Sequence, residues 1–91
     1  MSSIHLHHSH SLSPEQARSA LSDLADSLAR KLGVESRWDG DNLHFQRSGV
    51  DGTIKLLPGQ VEIMAKLGMF FAPMKGMVEQ EIRRVLDEKF R

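Results

Sequence analysis

Four of the five histidines fall within the first ten residues, in the stretch IHLHHSH. His5 and His7 are two apart, a spacing that on an extended strand turns both side chains to one face. His44 belongs to the same outer face in the strand pattern set out below. Imidazoles so placed chelate zinc, nickel or copper. A catalytic or structural centre needs further ligands in a defined geometry, and no carboxylate or histidine spacing in the chain fixes one. His5, His7 and His44 are therefore expected to be solvated strand-face residues that bind metal adventitiously in vitro, and no cofactor is expected.

Other candidate chemistry is thinner. WDGDN at residues 38–42 offers two carboxylates but lacks the remaining ligands and the bidentate glutamate of a calcium loop, so it reads as a hairpin turn. HSHSLS holds no glycine-flanked nucleophile, and no glycine-rich segment is built to cradle phosphate. Cysteine is absent, which removes disulfides, thiolate zinc sites and a cysteine nucleophile, and suits a reducing compartment. The expectation is a protein that is not an enzyme.

The elements that must position these residues follow from periodicity. Residues 4 to 10 alternate as a short strand with Ile4 and Leu6 inward. Ser13, Pro14, Glu15 and Gln16 form a helix start with a capping box, and Ala17, Leu21, Leu24, Leu28 and Leu32 recur at steps of three and four until Gly33 ends the helix. From Val34 the period becomes two. Inward positions are expected at Val34, Ser36 and Trp38, at Leu43 and Phe45, at Val50, Gly52, Ile54 and Leu56, and at Val61, Ile63, Ala65 and Leu67. DGDN, Ser48-Gly49 and Pro58-Gly59 supply three hairpin turns.

Alternation means that one sheet face packs and the other is wet. After Gly68 a helical period returns, with Phe71, Met74, Val78, Ile82 and Val85 in one sector facing the sheet, and Glu79, Gln80, Arg83, Arg84, Asp87 and Glu88 on a solvated back. The predicted fold is α+β: a five-stranded antiparallel sheet with two helices packed on one face, in the order β-α-β-β-β-β-α, as a single domain over residues 1–91.

A chain of 91 residues with 40% hydrophobic content supports one modest core. Twelve basic residues balance twelve acidic ones, so the excess positive charge that nucleic acid or an anionic membrane would demand is missing. No run approaches the roughly 18 apolar residues of a membrane-spanning helix, and MSSIHLHHSH lacks the features of a secretory signal. A soluble cytoplasmic protein is expected.

GMFFAPMKGM, residues 68–77, concentrates three methionines and two phenylalanines. Phe71 and Met74 fall in the buried sector, whereas Phe70 and Met77 sit on its flank and Met69 projects away from the sheet. Two readings stand side by side: a patch facing a partner, or packing beneath the Leu57 loop or against the first helix.

HSLS at 10–13, WDGDNLHFQRSGVDGTI at 38–54, and AKLG with MKGMVEQEI across 65–82 together resemble the polyhydroxyalkanoic acid system family, small bacterial proteins named for their association with storage polyester genes. The resemblance spans nearly the whole chain and includes no catalytic motif. It implies a cytoplasmic protein linked to polyhydroxyalkanoate synthesis or granules. The expected partner is then a granule surface or a granule-associated protein, bound through Met69, Phe70 and Met77, with homodimerisation through the same residues as the other use for them. The order of elements also resembles the larger helix-grip domains, which implies an alternative: a small hydroxyacyl or fatty-acyl ligand in a pocket lined by Trp38, Phe45, Ile54, Ile63 and Val78.

Overall fold

The computed structural model describes residues 2–90. Its elements are β1 (Ser2–Ser9), α1 (Pro14–Leu32), β2 (Glu35–Asp39), β3 (Asn42–Arg47), β4 (Val50–Leu57), β5 (Gln60–Leu67) and α2 (Lys75–Lys89), with a 3-10 turn at Ala72–Met74 before α2. This is the α+β order expected. The strands form one antiparallel sheet arranged β1-β5-β4-β3-β2, so three consecutive hairpins make four strands and the first strand closes against the last. Ser2 pairs with Leu67 and Ser9 with Gln60, eight rungs in all.

Local chemistry fixes α1 at both ends. Ser13 Oγ accepts from the Gln16 amide at 3.2 Å, and Gln16 Oε1 accepts from the Ser13 amide at 3.1 Å, which satisfies two donors that a helix start leaves without partners. Gly33 takes φ 71° as the left-handed cap, and Arg47 reaches over from β3 to donate through Nη1 to the Leu32 carbonyl at 2.6 Å.

The core lies between the helices and one sheet face. Ile4, Leu43, Phe45, Val50, Ile54, Val61 and Ile63 join Leu21, Leu24 and Leu28 of α1 and Val78, Ile82 and Val85 of α2 in one buried cluster. Gly52 is part of that packing: it pairs with Phe45 across β3 and β4, and the Phe45 ring lies where a Cβ at 52 would have to be.

Three details depart from the periodic reading. Ser36 is exposed and Trp38 only half-buried, because β2 is an edge strand at the margin of the core. Val34 is buried but lies ahead of β2. The helical period does not begin at Gly68: a turn and the 3-10 segment intervene, α2 starts at Lys75, and Met74 is half-buried at the core margin while Phe71 is buried as expected.

A polar network crosses the seam between the helices. Glu81 is 6% exposed and accepts from Ser27 Oγ and Lys31 Nζ of α1, each at 2.7 Å, and from Arg84 one turn along α2. Hydrogen bonds from Arg84, then Lys31, then Ser27 hold its carboxyl at about 2, below the ordinary 4.5, against the opposing effect of burial. At the far end of α2, buried Phe90 ties the helix to β1. His8 Nε2–H donates to the Phe90 carbonyl at 2.6 Å, and the His10 ring meets the Phe90 ring edge-on with centroids 5.3 Å apart. Burial, then neighbouring His8, pushes the His10 pKa down.

Candidate functional site

The connection from β5 to α2 carries the largest exposed apolar side chains among the described residues. Gly68 is pinned to the β3–β4 turn by its amide, which donates to the Gly49 carbonyl at 2.8 Å. The Phe71 amide then returns to the Gly68 carbonyl at 3.0 Å, closing a four-residue turn with Met69 and Phe70 at its two central positions. Phe71 goes inward, its ring against Gly49 and its outer face under the Arg47 guanidinium at 4.9 Å. Since the chain can send only one of the two adjacent rings into the core here, Phe70 is left out.

The resulting exposures are 83% for Met69, 84% for Phe70 and 41% for Met77, the last in the first turn of α2. The Phe70 ring meets the Phe71 ring edge-to-face with centroids 5.2 Å apart. Packing under the Leu57 loop does not occur. Leu57 pairs with Gln60 at one end of the β4–β5 hairpin, whereas Val50 pairs with Leu67 at the other, about 23 Å away along the strands.

On the opposite sheet face, strand pairing gathers a second group. His7 lies directly across from Glu62, and His5 is diagonal to it. His5 Nε2 and His7 Nε2 stand 3.5 Å and 3.1 Å from Glu62 Oε2, with the two imidazole centroids 4.9 Å apart. His44 shares that face but not that group. It falls in the row His5, Met64, Thr53, His44, three strand spacings or about 14 Å from His5, and interacts with Thr53 Oγ1 at 3.1 Å and Asp39 at 4.0 Å. WDGDN forms the β2–β3 turn, fastened to α1 by Arg18, which donates to the Gly40 carbonyl at 3.1 Å and lies 4.0 Å over the Trp38 ring.

Comparison with protein families places this geometry in context. Residues 4–90 match the family model described as putative polyhydroxyalkanoic acid system protein (PHA_gran_rgn). The chain belongs to this family. No curated protein and no solved structure matches it. The polyhydroxyalkanoic acid family description agrees with the resemblance carried by the WDGD, RSGV and EQEI segments. No described helix is long and apolar enough to cross a membrane.

Within this family member, the residues expected to line an acyl pocket lie elsewhere than in a cleft. Phe45, Ile54, Ile63 and Val78 are at most 1% exposed within the core, and Trp38 is covered on one side by Arg18. A mainly apolar cleft of about 290 Å³ opens between the start of α1 and the β4–β5 turn, lined by His10, Leu12, Pro14, Ala17, Leu56 and Pro58 among others, none of them from that set. Sequence reasoning missed Glu62 as a companion of the histidines, Arg47 as the brace for Phe71, and Glu81 with Ser27 inside the helix seam. The only signal for Glu62 was its position in an alternating strand. Its partner strand lies almost sixty residues away, and nothing local announces the pairing.

Proposed function

We propose that this chain is a non-enzymatic, cytoplasmic accessory protein of polyhydroxyalkanoate synthesis or storage that attaches to the polyester granule surface through Met69, Phe70 and Met77. The observation that carries this reading is the pinned turn, which holds two consecutive large apolar side chains more than four-fifths exposed. The family description supplies the setting. A polyester surface is apolar and irregular, and methionine adapts to such surfaces while phenylalanine contributes area.

Magnitude sets the kind of attachment. Burying a Phe or Met fully stabilises by about 1.5–3 kcal/mol, so Met69 and Phe70 supply about 3–6 kcal/mol before any cost of immobilisation, with a smaller share from half-covered Met77. That supports reversible adsorption by one copy and firm attachment only when several copies act together.

Cosedimentation with purified native granules at several salt concentrations tests the proposal. Wild-type binding should survive salt that screens surface charge, and Met69→Ser/Phe70→Ser/Met77→Ser should lower the bound affinity at least about tenfold, since about 1.4 kcal/mol is one factor of ten. A variant of unchanged far-UV circular dichroism that binds like wild type refutes the assignment. So does wild-type binding abolished by salt. If the variant instead shifts mass from dimer to monomer with granule binding intact, the turn serves self-association and the adsorption reading is wrong.

A further inference from the structure

We propose that His5, His7 and Glu62 form a binding site for a borderline first-row divalent cation, zinc(II) in particular, on the outer sheet face. Two donors each about 2.1 Å from a tetrahedral ion stand about 3.4 Å apart. The pairs from His5 Nε2 and His7 Nε2 to Glu62 Oε2 measure 3.5 Å and 3.1 Å, and all three donor atoms fall within 4.8 Å of one another. Both nitrogen–oxygen separations thus stand close to what a shared ion requires, with the third pair no more than 4.8 Å apart. Two imidazoles and one carboxylate form a borderline donor set suited to zinc, with a fourth position left to water.

The sheet does the positioning. His5 and His7 alone are an ordinary pair on a strand. Pairing β1 with β5 along eight rungs fixes the third donor opposite His7, on a backbone that needs no rearrangement to present it. Both imidazoles are more than half exposed, which gives an ion an open approach, while the Glu62 side chain is 20% exposed. Lys55 lies across β4 from Glu62, and Lys66, four residues along β5, is diagonal to His5, so cations flank the group on two sides and an entering ion must be held by coordination more than by net field. The other N-terminal histidines are committed elsewhere: His8 Nε2 to the Phe90 carbonyl, and His10 Nδ1 to the Leu12 amide at 3.0 Å. An ion here would also clip edge strand β1 to its neighbour.

Zinc chloride titrated into the full chain, followed by imidazole resonances in NMR and by calorimetry, tests the site. One equivalent should bind saturably and shift His5 and His7, leaving His8, His10 and His44 in place. Thermal unfolding at about 100-fold excess over Kd should move up on the order of ten degrees. Glu62→Gln and His7→Ala should each weaken binding about tenfold or more, with His44→Ala unchanged. These positions face solvent, and His5→Ala offers a further variant if circular dichroism shows either of the first two misfolded. Equal affinity in Glu62→Gln or in the urea-unfolded chain means histidine chelation without a built site and overturns the proposal. The absence of saturable binding does the same.

Discussion

Replacing Glu81 by glutamine keeps the shape of the side chain and an acceptor for Ser27 but removes the charge that Lys31 and Arg84 share across the helix seam. Its carboxyl is held at about 2 in the fold against an ordinary 4.5. At about 1.4 kcal/mol per unit, that difference sets an upper bound of about 3 kcal/mol. Lys31 and Arg84 are 48% and 51% exposed, so solvent screens their half of the network, and about 1.5–2 kcal/mol is the expected loss at neutral pH. For a domain of this size that lowers Tm by roughly 6–16 °C. The pH dependence has a definite sign. Because the folded pKa lies below the unfolded one, the contribution is complete above about pH 4.5 and disappears as pH falls from there towards 2. Urea unfolding monitored by circular dichroism, run on both proteins from neutral pH to about pH 3, isolates the residue as the difference between two curves. Wild type should fall towards Glu81→Gln over that window. Curves that descend in parallel, with a constant gap, would show that the network contributes through shape and not through charge.

Two further substitutions probe the packing. Gly52→Ala places a methyl group in the volume of the Phe45 ring and should cost about 1–3 kcal/mol in urea unfolding, although alanine is the better strand residue on intrinsic grounds. Phe90→Ala empties a site 1% exposed beneath the end of α2 and should cost about 3–5 kcal/mol, with faster amide exchange in β1 as the His8 contact loosens.

Where the sequence was informative, the interactions were local. Ser13, Gln16 and Gly33 bound α1 through contacts no more than four residues long, and the alternation from Leu43 to Leu67 follows from a pleat whose hairpins close within a few residues. Information ran out where distant segments meet. The β1–β5 pairing joins the first and last strands of the chain, and with it comes Glu62 beside His5 and His7, a group that no spacing along the chain encodes. Glu81 was invisible for a different reason: a charged residue on an amphipathic helix reads as solvent-facing until a second helix lays Ser27 and Lys31 over it. The start of α2 misled because Phe71 and Met74 keep helical spacing while occupying a turn and a 3-10 segment, where the same spacing is met by a different backbone.

Those differences bear on how the two proposed sites can be separated. The apolar turn is fixed by Gly68, Gly49 and Arg47 at the β3–β4 end of the sheet, and the histidine group by the outer-face rungs of β1 and β5. They share neither a side chain nor a supporting hydrogen bond. Changes more than about 7–10 Å apart without common partners add to within a few tenths of a kcal/mol. Zinc affinity should therefore be the same in the Met69→Ser/Phe70→Ser/Met77→Ser protein as in wild type, and granule binding should be indifferent to Glu62→Gln. If the metal instead altered adsorption, β1 would have to relay its clipping to the β5–α2 turn through Leu67, which pairs with Ser2 on one side and Val50 on the other. That route predicts that a substitution at Leu67, and none at His44, would uncouple the two.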